Sequence, residues 1–133
     1  MTAVFADTFF FLALLDRGEP MHSRAIMEGR TPRRRFITTD YVLVELGDAL
    51  HEPGRRGEFA AITDMVHRAT GWEVVPATSA LFKTGLDLFR RRRDKSWQMT
   101  DCLSFALMRQ RHLREALTGD AHFEQAGFKA LLR

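Results

Sequence analysis

Directly after Met1 comes the stretch Thr2-Ala3-Val4-Phe5-Ala6-Asp7-Thr8, which decides the fold. A short apolar run at the start of a chain predicts a buried strand, and here a helix-like apolar segment follows it at once. In open α/β sheets, ligands bind just beyond the carboxyl ends of the strands. Because Asp7 stands at such an end, we expect its carboxylate to serve chemistry rather than packing.

The rest of the chain alternates between helix-like and strand-like segments. Helices are predicted over residues 9–16, 21–29, 40–50, 56–70, 79–92 and 101–111, and strands over residues 36–39, 72–76, 115–118 and 128–132. The predicted N-caps are Thr8, Thr39 or Asp40, and Thr100. This alternation predicts an α/β three-layer fold with a mostly parallel central sheet of about four to five strands flanked by helices.

The composition is that of an ordinary globular protein, with 45% hydrophobic and 28% charged residues in a chain of 133. This length predicts a single domain over residues 1–133. There is neither an apolar run of roughly 20 residues nor a signal-peptide pattern, so we expect no membrane association. The single cysteine, Cys102, suits a reducing cytoplasm, and the net charge of +3 permits nucleic acid as a partner without requiring it.

Four carboxylates stand out by their positions: Asp7, Glu45, Asp101 and Asp120. Each has a structural explanation when taken alone, as a helix-dipole partner, a turn or cap residue, or a solvated helix edge. Taken together, two strand ends and two helices could direct them into one crevice. Such a cluster repels itself unless protons or a cation relieve it, and hard divalent cations such as Mg²⁺ or Mn²⁺ prefer carboxylate oxygens. The chemistry expected of such a site is metal-assisted hydrolysis of a phosphodiester.

Four segments of the sequence resemble the PIN-domain ribonucleases, and among these the VapC toxins of bacterial toxin–antitoxin pairs. They are Val4-Phe5-Ala6-Asp7-Thr8, Val44-Glu45-Leu46, Trp97-Gln98-Met99-Thr100-Asp101-Cys102-Leu103-Ser104-Phe105 and Leu117-Thr118-Gly119-Asp120-Ala121-His122-Phe123. The resemblance covers the whole chain in order, and the segment around Asp101 is the most specific.

The resemblance implies a PIN-like domain with an acidic pocket that holds Mg²⁺ or Mn²⁺. Its metal-binding and catalytic residues would be Asp7, Glu45, Asp101 and Asp120, with Asp7 and Asp101 as the first candidates for direct ligands. The supporting polar residues would be Thr8, Thr100, Ser104 and Thr118. The implied partners are an RNA substrate and a cognate antitoxin protein that inserts a basic side chain among the carboxylates. We also expect a homodimer.

The densest positive patch comprises Arg90, Arg91, Arg92, Arg93 and Lys95. We interpret it as an RNA-binding edge beside the metal site, because it directly precedes the segment of Asp101. The alternative is a solvated helix end whose cations complement the carbonyl dipole. A second run, Arg33 to Arg35, precedes a strand and is expected at the opposite edge of the sheet.

The other chemically notable residues have structural interpretations. We interpret His122 as a surface histidine in a loop, with a role in catalysis or substrate contact as the alternative. Cys102 is expected in the core, and Trp97 is expected to pack rather than to stack on a base. The run Phe9-Phe10-Phe11 has too many aromatic rings for one helical face, so some should pack in the core and the remainder could support a dimer or partner interface.

The leading hypothesis is therefore a metal-dependent endoribonuclease that acts as a toxin. A non-catalytic module that binds RNA or protein on the same fold is the main alternative, and it would tolerate substitution of Asp7. A phosphatase or phospho-acceptor domain with Asp7 as nucleophile ranks last, because this chemistry needs a second acid two residues on or beside Asp7, where the chain has Phe9 and Ala6.

Overall fold

The computed structural model describes residues 2–133, within which seven helices flank one five-stranded parallel sheet. The strands are β1 (Thr2–Ala6), β2 (Arg34–Thr39), β3 (Trp72–Val75), β4 (Glu115–Leu117) and β5 (Lys129–Ala130). The helices are α1 (Thr8–Leu15), α2 (His22–Gly29), α3 (Asp40–Ala49), α4 (Arg56–Arg68), α5 (Ser79–Arg91), α6 (Met99–Gln110) and α7 (Ala121–Gln125). The predicted α/β fold with a parallel central sheet is confirmed.

The first strand is the centre of the sheet, whose order is β3-β2-β1-β4-β5. Strand β1 pairs with β2 on one side and with β4 on the other, with Phe5 opposite Ile37 and Ala6 opposite Leu117. Val4, Phe5 and Ala6 are fully buried, as expected for an apolar strand that is covered on both faces. Because all five strands run the same way, their carboxyl ends meet at one edge of the sheet.

The most buried helix is α6, in which every residue from Asp101 to Met108 is buried. Helix α5 packs directly on it, and a Cβ at Gly85 would lie 2.7 Å from Leu103 Cδ2. The two helices can approach this closely only because position 85 has no side chain. This contact fixes the first turn of α6, which carries Asp101, against the rest of the protein.

Two of the predicted helix caps are wrong. Helix α1 begins at Thr8 with Asp7 in the N-cap position, and the Thr8 hydroxyl donates a hydrogen bond to Glu45. Helix α6 begins before Thr100, at Met99, with Gln98 as the N-cap residue. The cap at Thr39 is confirmed, since its hydroxyl accepts a hydrogen bond from the Val42 amide at 3.0 Å.

The aromatic triplet of α1 contributes to the interior. Phe10 and Phe11 are buried, and Phe9 packs partly buried against the same core. The expectation that some of these rings pack in the core is therefore confirmed for Phe10 and Phe11, and an interface role for the remainder stays a prediction. Within residues 2–133, no helix is both long enough and apolar enough to cross a bilayer.

Candidate active site and metal centre

The carboxyl edge of the sheet brings together residues that are far apart in the sequence. Strands β1 and β4 end side by side, so that Asp7 and Thr118 follow directly after the paired residues Ala6 and Leu117. Thr118 donates a hydrogen bond from Oγ1 to Asp7 Oδ2 at 2.8 Å, across 111 positions of sequence. The first expectation from the sequence, a carboxylate at the end of a buried strand, thus coincides with a contact between two strand ends.

Glu45 reaches this edge from α3, which starts where β2 ends. The hydroxyl of Thr8 donates a hydrogen bond to Glu45 Oε1, although the two residues are 37 positions apart. Glu45 is half-buried, which excludes the alternative that it is simply a solvated residue at a helix edge. Thr8 and Thr118 therefore each donate a hydrogen bond to one of the carboxylates, and their supporting role in a site stays a prediction.

Asp101 is held by the start of its own helix. Its Oδ2 accepts a hydrogen bond from the Gln98 amide at 3.1 Å and forms one half of a capping box. The same oxygen lies 3.0 Å from Nδ1 of His122. The Asp101 carboxylate therefore has both a capping role and a place in the cluster.

His122 lies in α7, not in a loop, so the predicted loop position is wrong. Its Nδ1 also lies 3.6 Å from Asp120 Oδ1, while the Asp120 side chain accepts a hydrogen bond from the His122 amide at 2.8 Å. Asp120 thus caps α7, and this cap directs the side chain of His122 toward Asp101. The sequence signal was present, because an N-cap aspartate two positions before a histidine places that histidine in the first turn.

The electrostatics of the cluster are dominated by burial. Asp7 is only 7% exposed, and burial raises its pKa from 3.8 to about 7, although the hydrogen bonds from Thr118 and the Thr8 backbone oppose this shift. The charges of Glu45 and Asp101 raise this pKa further. Burial also raises the pKa of Asp101, with Asp120 adding to the rise and His122 opposing it. The four carboxylates therefore form one electrostatically connected group.

The donor atoms fit a divalent cation. Asp101 is buried at this edge, whereas Asp120 and His122 are half-buried, and each of the three offers one ligand atom such that all three atoms lie within 4.8 Å of one another. Asp7 and Glu45 lie outside this group of three. Among residues 2–133, no lysine or arginine forms an ion pair with any of the four carboxylates. A cluster of acids without internal cations, one of them at the end of the central strand, is suited to bind a hard metal ion.

The other two predicted supporting residues lie on α6. Thr100 is half-buried in the first turn of the helix, and Ser104 is buried one turn beyond Asp101. Within the part of the chain that is described, neither side chain is hydrogen-bonded to one of the four carboxylates. Their supporting role stays a prediction.

The side chains of the basic run have different surroundings in the structure. Arg90 and Arg91 are exposed in the last turn of α5, whereas Arg92 forms two hydrogen bonds with Asp94 and lies over the Trp97 ring at 5.0 Å. After α5 ends, the chain encloses a cavity of about 370 Å³, which we call the basic cavity. Its lining includes Phe89, Arg92, Arg93, Lys95, Trp97 and Cys102.

Three further expectations are confirmed. Trp97 packs in the interior, 4% exposed, with its Nε1 donating to Gln125 Oε1 at 3.0 Å. Cys102 is buried, and burial raises the pKa of its thiol. Arg34 and Arg35 pair with the first residues of β1, at the amino end of the sheet and opposite the acidic edge.

Comparison with known proteins agrees with this geometry. A family model described as PIN domain matches residues 4–129. The 23S rRNA-specific endonuclease VapC20 of Mycobacterium tuberculosis, found in two strains, is 29% identical over 126 residues, which cover 94% of this chain and 95% of VapC20.

Solved structures show the same fold. The crystal structure of M. tuberculosis VapC20, described as a sarcin–ricin loop cleaving toxin, matches with a TM-score of 0.81 at 25% identity over 94% of this chain and 95% of that one. VapBC2 of Rickettsia felis, bound to a promoter DNA fragment, has a TM-score of 0.69 at 10% identity, covering 98% and 97% of the two chains. FitAcB of Neisseria gonorrhoeae has a TM-score of 0.63 at 13% identity, covering 98% and 95%. The last two similarities concern the fold alone.

Proposed function

The chain belongs to the PIN-domain family, and from this premise we propose that it is a metal-dependent endoribonuclease, the toxin of a toxin–antitoxin pair. The observation that carries the proposal is the carboxyl edge of the sheet. There Asp7, Glu45, Asp101 and Asp120 form one connected group that lacks a lysine or arginine partner within residues 2–133. The similarity to VapC20 over nearly the whole length of both chains supports the same reaction class.

We assign the metal site to these four carboxylates, with Mg²⁺ or Mn²⁺ as the cofactor. A bound divalent ion of this kind supplies an activated water and neutralises charge that develops on the scissile phosphate. Asp7 and Asp101 remain our first candidates for direct ligands, and Asp120 joins them because its carboxylate shares the cluster with Asp101. The half-buried surroundings limit screening by solvent, which strengthens every charge interaction in the site.

The neighbouring polar residues orient the carboxylates. Thr118 donates a hydrogen bond to one oxygen of Asp7, which leaves the other oxygen to face the cluster. Thr8 likewise donates to one oxygen of Glu45 and leaves its second oxygen available. His122 holds Asp101 through Nδ1, and we assign it a positioning role. These contacts fix the carboxylates before substrate arrives, which lowers the cost of reorganisation during the reaction.

The substrate in this proposal is structured RNA. VapC20 is named as specific for 23S rRNA and as cleaving the sarcin–ricin loop, and we extend this target class to the present chain as the first to test. The exposed Arg90 and Arg91, together with Arg93 and Lys95, would follow the phosphate backbone beside the acidic site.

The test is cleavage of a labelled sarcin–ricin hairpin and of an unrelated hairpin of equal length. Each is incubated with Mg²⁺, with Mn²⁺ and with EDTA, using the unmodified protein and Asp7→Asn prepared identically. We expect metal-dependent cutting that the variant lacks. Folded protein that cuts neither RNA with either metal would contradict the proposal and favour a non-catalytic RNA-binding module.

The antitoxin partner would cover the acidic cluster with a basic side chain and lay an apolar segment on the helices. An apolar groove of about 230 Å³ supports this part of the proposal, lined by Phe10, Leu14, Ile26, Met65 and Trp72 among others. Met27, beside it on α2, is 68% exposed. Grooves of this kind accept amphipathic helices.

Co-expression with the product of a small neighbouring reading frame tests the antitoxin. We expect Ile26→Glu to abolish co-purification and Phe82→Glu, on the exposed face of α5, to leave it unchanged. Equal loss with both variants would contradict the groove as the docking site. The homodimer is tested on the free protein by sedimentation equilibrium, where we expect about twice the chain mass of 15.3 kDa.

A further inference from the structure

The basic cavity combines charge and aromatic surface next to the proposed active site. Cys102 contributes to its lining and directly follows Asp101 in the first turns of α6. The cavity volume of about 370 Å³ lies within the range of small-ligand pockets. The acidic cluster and the basic cavity are thus connected by two adjacent residues of one helix.

Only part of the positive charge in the cavity is neutralised. Arg92 is bound to Asp94 at 3.0 and 3.1 Å and rests on the Trp97 ring, so it forms a fixed wall. Across residues 2–133, neither Arg93 nor Lys95 forms an ion pair with a carboxylate. The cavity therefore presents two cations that can receive an anion, and phosphate is the anion that RNA supplies at each nucleotide.

The aromatic surface comes from Phe89. It is 45% exposed, whereas the Trp97 ring is buried between Phe105 and the arginine and cannot receive a base. An exposed aromatic ring beside free cations is the combination that single-stranded nucleic acid uses, because bases stack on the ring while the phosphates track the charges. A protein partner would not require the two cations.

We propose that the basic cavity is a nucleotide subsite, which binds one unpaired nucleotide of the RNA with its base against Phe89 and its phosphate on Arg93 and Lys95. The inference rests on the proposed function and deepens it, because an unpaired nucleotide held beside the acidic edge would select loops over duplexes. Arg92 supports the wall of this subsite through Trp97 and does not itself bind the RNA.

The chain offers matched controls for both parts of the subsite. Phe82 lies two turns before Phe89 on α5 and is equally exposed, at 44%, but it does not line the cavity. Lys83 lies beside Phe82 on α5, is exposed, stands outside the basic run and likewise does not line the cavity. All four side chains are exposed, so their replacement by alanine leaves the core intact.

The experiment measures binding of a fluorescently labelled single-stranded RNA by anisotropy in EDTA, so that no cleavage occurs. We expect Phe89→Ala and Arg93→Ala each to raise the Kd about tenfold, and Phe82→Ala and Lys83→Ala to change it less than about threefold. Arg93→Ala should lower the slope of log K against log salt by about one, whereas Phe89→Ala should leave this slope unchanged.

Four results would overturn the subsite. Equal weakening by Phe82→Ala and Phe89→Ala would indicate a diffuse surface, and conversion of a dimer to a monomer by both would indicate a face between two copies of this chain. Normal RNA binding and cleavage in Phe89→Ala and Arg93→Ala would remove the subsite while leaving the nuclease proposal intact. Unmodified protein that neither binds nor cuts RNA would instead remove the proposed function, and the subsite with it.

Discussion

The carboxyl edge of the sheet and its outer strand β3 shift the pKa of a carboxylate in opposite directions. At the carboxyl edge, Asp7 is buried among other acids and its pKa rises to about 7. On the outer strand β3, Glu73 is bonded by Arg111 at 2.6 Å and lies 3.8 Å from Arg35, and these cations lower its pKa. The second arrangement neutralises itself within the protein. The first leaves negative charge that only protons or an external cation can balance, which is the property of a binding site rather than of a structural ion pair.

The largest effect that follows from this contrast concerns catalysis. Asp7→Asn should lower the RNA cleavage rate at least about a hundredfold, because it removes a charged oxygen from the buried centre of the cluster. The measurement is the initial rate of hairpin cleavage with saturating Mg²⁺ or Mn²⁺. Asp64→Asn on the exposed face of α4 is the matched control and should cleave at the unmodified rate. Retained cleavage in Asp7→Asn would show that the buried carboxylate is not a part of the reaction.

The second effect is on stability, and its sign follows from the raised pKa. The folded-state pKa of Asp7 is about 7, against 3.8 for an ordinary aspartate carboxyl, so between these values the folded state binds more protons than the unfolded state. The free energy of unfolding therefore falls as the pH rises through this window.

Asp7→Asn mimics the protonated carboxyl and removes this dependence. In EDTA near pH 8, the variant should exceed the unmodified protein in unfolding free energy by about 2–4 kcal/mol, and the difference should vanish near pH 4. Chemical denaturation at several pH values measures it. A constant difference across the pH range would mean that Asp7 ionises normally in the folded protein.

The sequence predicts the acidic edge well because the underlying signals are local. Asp7 and Asp120 directly follow strand-like segments, and parallel strands bring such positions to one edge whatever their separation in sequence. The helix starts were less predictable. Thr8 and Thr100 have the chemistry of N-caps, but the Thr8 hydroxyl is used by Glu45, and Gln98 with Asp101 forms a capping box that moves the start of α6. The Thr8 contact is tertiary and no local pattern contains it. The start of α6 is local, but glutamine is not one of the usual N-cap residues.

The basic run illustrates the opposite limit. Its charge is obvious in the sequence, but the contacts of the individual arginines are not. Neighbouring arginines have different partners only because of how the chain turns after α5. Arg92 is directed to Asp94 and Trp97, while Arg93 and Lys95 face the basic cavity. The same holds for His122, whose contact with Asp101 depends on the short helix α7.

A smaller effect on stability tests how tightly the residues are packed at the acidic edge. A Cβ at Gly119 would lie 2.9 Å from the Leu132 carbonyl oxygen and 2.6 Å from Phe9 Cζ. The Phe9 ring can move, but the backbone carbonyl cannot without shifting the end of the chain, so Gly119→Ala should cost about 1–3 kcal/mol of unfolding free energy. Chemical denaturation measures it against Gly57→Ala, where open space in α4 predicts a small gain in stability. Equal stability of the two variants would show that the edge adapts to an added methyl group.

The smallest effect belongs to the outer strand. Glu73→Gln removes the ion pairs with Arg111 and Arg35, but all three side chains are at least one-third exposed and water screens their attraction. The lowered pKa means that this stabilisation is present above the ordinary glutamate pKa and is lost as the pH falls through the folded-state value. Near neutral pH we expect a loss of roughly 0.3–0.8 kcal/mol in unfolding free energy, shrinking in about 1 M NaCl. A loss as large as that predicted for Gly119→Ala would mean that self-neutralised acids on this sheet contribute as much to stability as its packing does. The structural ion pair on β3 would then be a main source of stability, and weak stabilisation would no longer distinguish it from the binding edge.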